Sequence, residues 1–205
     1  EARWLATESG VGDVLLGYPS VRRNALADLL ADDVALDRVT LLIDDPAQLD
    51  VLDAVAAPGT RRPVRVAIDL DASLRLLGGR VHLGVRRSPV HDLTQIRRLA
   101  QTVAGRDGVD LVGVMSYEAQ VAGVGNDVSG KALKNIAVRA MQSVSMTELR
   151  RRRAKAIAAV REYADLEFVN AGGTGSVEET AKDRAVTDIA VGSGLLGGHL
   201  FDTYR

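Results

Sequence analysis

The sequence contains no cysteine, and aromatic residues make up only 3% of its 205 residues. Without cysteine, this chain has no disulfide framework, no thiolate metal ligand and no thiol nucleophile. Histidine is also scarce, and His82, His91 and His199 match no metal-ligand spacing. The sequence therefore predicts no metal site within this chain, and its lack of cysteine permits a reducing cytoplasm.

An excess of charge and long apolar runs are missing as well. The formal net charge is -1, so the chain lacks the excess of positive charge that attracts nucleic acid. No apolar run approaches the roughly 20 residues needed to cross a bilayer. The basic run Arg150 to Arg153 stands without other basic clusters, and we interpret it as the solvated face of a helix. We expect neither nucleic acid nor a membrane as a partner.

Lysine is confined to helical segments or their starts, at Lys131, Lys134, Lys155 and Lys182. None of these residues follows a strand. If a cofactor is bound covalently through a lysine, we expect that lysine outside this chain. The opening stretch Glu1 to Ala6 has the composition of a helix interior and carries no secretory leader, so we expect that a segment precedes it.

Short apolar runs dominate what is present, and hydrophobic residues make up 46% of the chain. Helical segments separate the runs, an alternation that is typical of parallel strands buried on both faces. Two architectures fit this α/β pattern: an open doubly wound sheet, and a (β/α)8 barrel with two units missing upstream. The half-helix at the start favours the barrel. The runs are Asp13 to Gly17, Val39 to Ile43, Val64 to Leu70, Leu111 to Met115, Leu166 to Asn170, and Asp188 to Val191.

The helices carry start signals of their own. Asp45-Pro46-Ala47-Gln48 and Asp92-Leu93-Thr94-Gln95 each place an N-cap acid three residues before a glutamine that can close a capping box. The longest helical stretch runs from about Lys131 to Tyr163, with Ser145 as an expected break. We expect one face of each helix to pack on the sheet.

Two turns rich in small residues follow the last two strand-like runs. They read Gly172-Gly173-Thr174-Gly175-Ser176 and Gly192-Ser193-Gly194. Successive backbone N–H groups with small side chains form concavities that bind anions, and a following helix adds positive potential. In a (β/α)8 barrel the loops after the last two strands commonly bind phosphate. The pair predicts a phosphate clamp, the alternative being that the glycines only turn the chain.

Other candidate residues lie just after strands, where barrel enzymes place their function. Arg75 could meet a phosphate, a carboxylate or a heteroaromatic nitrogen, or could form an ion pair with a neighbouring aspartate. Tyr117 could stack on a planar cofactor, donate a hydrogen bond or only pack. Asp69 and Asp71 lie two residues apart at a strand end, and for each carboxylate a structural role has the same weight as a functional one.

The order of several segments resembles the D-threonine aldolase and D-serine dehydratase family of amino acid deaminases and aldolases. These are pyridoxal-phosphate enzymes with an N-terminal barrel of the alanine racemase type. The resemblance covers nearly the whole chain, and the two glycine turns followed by Asp202 and Tyr204 are more specific together than apart. It is carried by Glu1-Ala2-Arg3-Trp4-Leu5-Ala6, Val112-Gly113-Val114-Met115-Ser116-Tyr117-Glu118, Phe168 to Ser176, Thr187-Asp188 with Gly192-Ser193-Gly194, and Leu200-Phe201-Asp202-Thr203-Tyr204.

The resemblance implies an α/β fold: a parallel TIM-type barrel, of which this chain supplies about six β/α units. Residues 1–205 would form the cofactor-binding barrel domain, with two further units and the cofactor lysine before Glu1 and a β-domain after Arg205. The family's Asp-x-Gly-x-x-Arg stretch is altered to Asp71-Ala72-Ser73-Leu74-Arg75, with a longer loop from Leu76 to His91, so Arg80, Arg86 or Arg87 could replace Arg75. The implied cofactor-binding residues are Gly172, Gly173, Thr174, Gly175, Ser176, Gly192, Ser193 and Gly194 for the phosphate, Arg75 on the pyridine-ring side, and Tyr117 and Tyr204.

The function implied is that of a pyridoxal-phosphate-dependent lyase or deaminase acting on D-β-hydroxy-amino acids. A divalent metal would belong to the β-domain, and the protein would be a cytoplasmic homodimer with a small D-amino acid as substrate. The alternative from another class is a non-catalytic, single-barrel carrier of pyridoxal phosphate. A third and weaker reading is an unrelated phosphosugar barrel enzyme.

Overall fold

A computed structural model describes residues 1–204 of the chain, and Arg205 lies outside the described residues. The helices are α1 Ala2–Thr7, α2 Arg23–Leu30, α3 Asp33–Arg38, α4 Ala47–Val55, α5 Leu93–Ala104, α6 Ala119–Ala122, α7 Ala132–Val160 and α8 Val177–Thr180. The strands are β1 Val14–Leu15, β2 Val39–Ile43, β3 Val64–Asp69, β4 Leu74–Leu76, β5 Val81–Leu83, β6 Val109–Ser116, β7 Phe168–Ala171 and β8 Asp188–Ile189.

The chain divides into two compact units. The first comprises Glu1–Leu70, Ser88–Met115 and Ala158–Glu167, and the second comprises Asp71–Arg87, Ser116–Ile157 and the residues from Phe168 onward. The assignment of residues 1–205 to one barrel domain stays a prediction.

The first unit is built on parallel strands, of which β1 is half-buried and β2, β3 and β6 are largely buried. β1 pairs with β2, β2 with β3, and β3 with β6, so each parallel strand lies beside the preceding one. Every residue of β2 is buried, as the continuous apolar run Val39 to Ile43 predicts. A doubly wound sheet reverses its strand order at a switch point, and no such reversal occurs among these strands.

Two helices of the first unit, α4 and α5, begin at the predicted start signals. The Asp92 carboxylate accepts the Gln95 N–H at 2.9 Å, and the Gln95 side chain accepts the Asp92 N–H at 3.0 Å, which completes the capping box of α5. At α4, Asp45 accepts the Ala47 N–H at 2.8 Å, and Gln48 accepts the Asp44 N–H at 2.9 Å. Both sequence signals lie at the starts of helices, but the N-cap aspartate and its capping box are confirmed only at α5, because the N-cap residue of α4 is Pro46 and not Asp45.

An ion pair joins β3 to the segment after α7 within the first unit. Arg65 donates two hydrogen bonds to the Glu167 carboxylate, at 2.8 and 2.7 Å. These hydrogen bonds lower the pKa of Glu167 below its ordinary value, and they raise the pKa of Arg65. The pair therefore stabilises the ionised form of Glu167.

The second unit holds the last parallel strands, β7 and β8, which pair through Asn170 with Asp188 and through Ala171 with Ile189. It also contains α6, α8 and most of α7. Its buried apolar cluster consists of Ala72, Val121, Met146 and Leu149. The turn after β7 begins where this strand ends, as the sequence predicts.

Three sequence expectations need correction. The segment from Leu76 to His91 is not only a loop, because β5 within it pairs antiparallel with β4. Ser145 does not break the long helix: its hydroxyl donates to Met141 Sδ at 3.6 Å, and α7 continues to Val160. Arg153 is not solvated but fully buried, while Arg151 in the same run is exposed.

The six predicted parallel strands are all present, with shifted ends. The strand predicted from Leu166 starts at Phe168, and the one predicted from Leu111 to Met115 extends over Val109–Ser116. Among residues 1–204, no helix combines the length and apolar character that a membrane crossing requires.

Candidate functional site

The turn after β7 is ordered by its own side chains. The Gly173 N–H donates to Ser176 Oγ at 3.1 Å, and the Ser176 N–H donates back to the Gly173 carbonyl at 3.0 Å. Gly172 has φ of 76°, a left-handed backbone conformation that glycine adopts without strain. The backbone conformation therefore favours glycine at position 172, whatever the turn binds.

Two backbone donors in this turn are left open. Over residues 1–204, the N–H groups of Thr174 and Gly175 donate to no protein acceptor, although both residues are partly buried. Neighbouring N–H groups of this kind form an anion-binding concavity. The Gly172 and Gly173 N–H groups, by contrast, already donate to side chains of the protein.

The second glycine turn lies beside the first. A Cβ atom added to Gly194 would lie 3.6 Å from Thr174 Cγ2. The Gly194 N–H donates to the Val191 carbonyl at 2.9 Å, which closes the turn after β8. The structure thus brings together the two turns that the sequence pairs as a phosphate clamp.

Two tyrosines cover the glycines of the first turn. A Cβ atom on Gly173 would lie 3.0 Å from Tyr117 Cε2, and one on Gly175 would lie 2.2 Å from Tyr204 Cε1. Since Cβ atoms do not approach other atoms so closely, these rings pack directly on the glycine backbone. Tyr117 and Tyr204, both predicted cofactor ligands, therefore lie at the first turn.

The hydroxyl of Tyr204 is buried and has no hydrogen-bond partner among residues 1–204. Burial raises the pKa of Tyr204 above its ordinary value, and the nearby Tyr117 raises it further. The hydroxyl therefore stays protonated at neutral pH and can donate a hydrogen bond. An unpaired buried hydroxyl costs free energy, which a ligand atom at this position would recover.

A fully buried network of charges underlies the same turn. Arg153 donates to the Glu118 carboxylate and to the Asp183 carboxylate, each at 2.8 Å, and to the Ser116 carbonyl at 3.1 Å. Glu118 in turn accepts the Gly172 N–H at 3.2 Å. The network thus connects α7 with the end of β6 and with the start of the first turn at Gly172. It also reaches Asp183, which follows α8.

Arg75 lies on β4, opposite His82 of β5. Its guanidinium forms an ion pair with Asp71, whose carboxylate also accepts the Ser73 N–H at 2.8 Å. The ion pair that the sequence left open as an alternative is therefore present. The role of Arg75 toward a cofactor stays a prediction, as does the choice between it and Arg80, Arg86 or Arg87.

A cavity of 880 Å³ adjoins the first turn in the second unit. Its walls include the segment Thr174 to Glu179, one face of α7 from Arg139 to Arg150, and the rings of Phe201 and Tyr204. Cavities that bind small molecules have volumes of roughly 300 to 1,000 Å³. Among residues 1–204, no group of three or more histidine, aspartate or glutamate side chains is arranged to hold a metal ion.

Known proteins match this chain in structure but not in sequence. No protein-family model matches the chain, and no curated protein matches it in sequence. Solved structures do match. D-threonine aldolase from Filomicrobium marinum is similar with a TM-score of 0.71 and 22% identity, over 97% of this chain and 47% of that chain.

Two other enzymes share the architecture. Alanine racemase from Corynebacterium glutamicum matches with a TM-score of 0.59 and 16% identity, over 97% of this chain and 45% of that chain. The H351A mutant of D-threo-3-hydroxyaspartate dehydratase matches with a TM-score of 0.58 and 19% identity, over 90% of this chain and 41% of that chain. The chain spans less than half the length of these structures.

The fold class follows from these likenesses. The chain has the α/β fold of the alanine racemase type, a parallel (β/α)8 barrel of which it supplies six parallel strands. This confirms the fold class expected from the sequence, and it selects the barrel over the doubly wound sheet. The predicted resemblance to D-threonine aldolase and its relatives is matched at the level of fold.

Sequence reasoning missed the buried role of Arg153. The periodicity contained a signal, because Arg153 lies four residues from both Leu149 and Ile157, and these apolar residues mark the buried face of α7. Glu118 occurs in the sequence analysis only within the stretch from Val112 that carries the resemblance, and Asp183 has no sequence signal. Their pairing joins segments 35 and 30 residues from Arg153, which no local pattern reveals.

Proposed function

We propose that the protein is a pyridoxal-phosphate-dependent lyase, of the aldolase or ammonia-lyase type, acting on D-β-hydroxy-amino acids. The likeness of fold to a D-threonine aldolase and to a D-threo-3-hydroxyaspartate dehydratase supports this reaction class. Alanine racemases have the same fold, so the fold supports an enzyme more broadly than it supports a lyase.

The observation that carries the proposal is the set of open donors at the first glycine turn. The N–H groups of Thr174 and Gly175 have no protein acceptor among residues 1–204, and the buried Tyr204 hydroxyl has none either. These donors suit the oxygens of a phosphate ester, which accept several hydrogen bonds at once. The residues present therefore fit the phosphate of the proposed cofactor.

The remaining assignments follow the same logic. Thr174, Gly175 and Tyr204 would donate to the phosphate, Gly192 to Gly194 would close the site from the second turn, and Tyr117 would limit its width. Gly173 keeps the Tyr117 ring close to the turn, since any side chain there would displace it.

Arg75, oriented by Asp71, would face the pyridine ring. When bound, pyridoxal phosphate supplies an electron sink for the bond that breaks at the substrate α-carbon.

The lysine that binds the cofactor is part of this proposal and is placed outside the chain. Lys134 and Lys155 lie within α7, and Lys131 immediately precedes it. Lys182 follows α8 and pairs with Glu179.

A divalent metal in a further domain, a homodimer and a cytoplasmic location also belong to the proposal. Size-exclusion chromatography with light scattering tests the homodimer.

The experiment is a substrate panel on the full-length protein supplied with pyridoxal phosphate. D-threonine, D-serine, D-threo-3-hydroxyaspartate and D-alanine would be compared with their L-enantiomers, with and without a chelator. We expect breakdown of the D-β-hydroxy-amino acids and none of the L-forms. Interconversion of alanine enantiomers as the only reaction would contradict the lyase, and cofactor binding without any turnover would identify a carrier instead.

Chemical trapping tests the cofactor separately. Borohydride reduction of the protein with pyridoxal phosphate, followed by peptide mapping, is expected to label a single lysine. An unlabelled protein that acts on a phosphorylated sugar would favour the phosphosugar barrel reading.

A further inference from the structure

The Glu118 carboxylate binds the first glycine turn at two points and the end of α8 at a third. Its Oε2 atom accepts the Gly172 N–H at 3.2 Å, and its Oε1 atom accepts the Ser176 hydroxyl at 3.3 Å. Oε1 also accepts the hydroxyl of Thr180, at the end of α8. All of these bonds are buried, so water does not compete with them.

Glu118 is itself fixed by Arg153. Both side chains are fully buried, and the Arg153 Nη2 to Glu118 Oε2 distance is 2.8 Å. The guanidinium also binds Asp183, three residues after Thr180. The Arg153 guanidinium therefore holds the Glu118 carboxylate in place through a buried, charge-assisted hydrogen bond.

These contacts decide which donors of the turn remain available. Glu118 takes the N–H of Gly172, and it fixes the Ser176 hydroxyl that accepts the N–H of Gly173. The two donors left over are the N–H groups of Thr174 and Gly175, which follow directly in the chain. The carboxylate therefore sets the backbone orientation of the pair that has no protein acceptor.

We propose that Glu118, held by Arg153, is a positioning residue that orients the Thr174 and Gly175 N–H groups for an ester phosphate. This inference rests on the proposed function, because it assumes that the first turn binds the cofactor phosphate. Glu118 touches neither cofactor nor substrate in this account. Its contribution is the geometry of two neutral donors, so it governs recognition of the phosphate and not of the pyridine ring.

The test compares two truncations that each remove one carboxylate from Arg153. Glu118→Ala removes the acceptor of the Gly172 N–H, whereas Asp183→Ala leaves every contact between Glu118 and the turn in place. Binding of pyridoxal phosphate and of pyridoxal, which lacks the phosphate, is measured by absorbance titration of the full-length protein. Urea unfolding of each variant reports how far stability falls.

We expect Glu118→Ala to weaken pyridoxal phosphate binding by about tenfold or more, the loss typical of a misaligned hydrogen-bonding pair, with pyridoxal binding unchanged. Asp183→Ala is expected to destabilise the protein while keeping the preference for the phosphate. If Glu118→Ala does not fold, Glu118→Asp serves instead, because it keeps the charge for Arg153 and its shorter side chain does not span both partners.

The outcomes separate this inference from the proposed function. If the unmodified protein binds pyridoxal and pyridoxal phosphate equally, the phosphate site itself is wrong. If the unmodified protein prefers pyridoxal phosphate and the Glu118 variant keeps that preference, the positioning role is overturned. Equal loss of preference in the Asp183 variant would also overturn it, since the effect would then be one of stability alone.

Discussion

Gly175 has no room for a side chain, which makes it a sensitive probe of the first turn. An added Cβ would lie 2.2 Å from Tyr204 Cε1 and 2.4 Å from the Ala122 carbonyl oxygen. Gly175→Ala should therefore displace the Tyr204 ring and cost about 1 to 3 kcal/mol of unfolding free energy, as overpacking does. We also expect weaker pyridoxal phosphate binding, because Tyr204 loses its position.

Gly198→Ala is the matched control for this substitution. No atom lies within 4 Å of the Cβ position at Gly198, and its φ of -60° suits alanine. Urea unfolding is expected to give this variant the stability of the unmodified protein. A Gly175→Ala variant as stable as Gly198→Ala would show that Tyr204 does not pack on this glycine.

Arg153 and Arg151 are neighbours in the sequence with opposite environments. Arg153 is fully buried between Glu118 and Asp183, whereas Arg151 is exposed. Arg153→Met leaves two buried carboxylates without their cation and should cost about 3 to 5 kcal/mol of unfolding free energy.

The same change at Arg151 should alter the unfolding free energy by no more than about 0.5 kcal/mol. Chemical denaturation of both variants measures the difference. Similar stabilities for Arg153→Met and Arg151→Met would refute the buried network.

At the scale of elements, the ion pair between β3 and the segment after α7 predicts a pH dependence. Arg65 lowers the pKa of Glu167, so the ionised carboxylate stabilises the folded state above the ordinary glutamate pKa of about 4.3. This stability is lost as the pH falls through the lowered pKa of the folded state. Because the Glu167 side chain is 53% exposed, its contribution at neutral pH is at most about 1 kcal/mol.

Glu167→Gln should therefore be less stable than the unmodified protein at pH 7, and the two should converge in acid. Glu8→Gln, at an exposed position, is the control. Thermal unfolding between neutral and acidic pH measures the difference. A gap that stays constant or widens as the pH falls would refute the assigned role of the pair.

The elements themselves could be predicted because their signals are local. The continuous apolar run from Val39 predicted β2, the mostly apolar run from Val64 predicted β3, and the acid-to-glutamine spacing at Asp92 predicted the start of α5. The β4 to β5 hairpin escaped prediction because its strands are only three residues long, although Gly78 and Gly79 in its turn adopt the positive φ that a glycine pair signals. Strand ends shifted by one or two residues, since cross-strand pairing decides where a strand stops.

At the scale of the whole molecule, the sequence predicted which glycine turns form the phosphate site. It did not predict which backbone N–H groups of the first turn lack a protein acceptor. Gly172 and Gly173 belong to the predicted clamp, yet their N–H groups already bind Glu118 and Ser176. That distinction depends on contacts between segments far apart in the chain, as does the burial of Arg153. The α/β class could be predicted from the alternation of strands and helices and the barrel type from the resemblance, whereas the charge network could not be predicted.

The central claim is that the turn after β7 binds the phosphate of pyridoxal phosphate through backbone donors. The most direct measurement is a crystal structure of the full-length protein grown with pyridoxal phosphate. We predict phosphate oxygens within hydrogen-bond distance of the Thr174 and Gly175 N–H groups and of the Tyr204 hydroxyl. A cofactor phosphate bound elsewhere, with both of these N–H groups still open, would contradict the account.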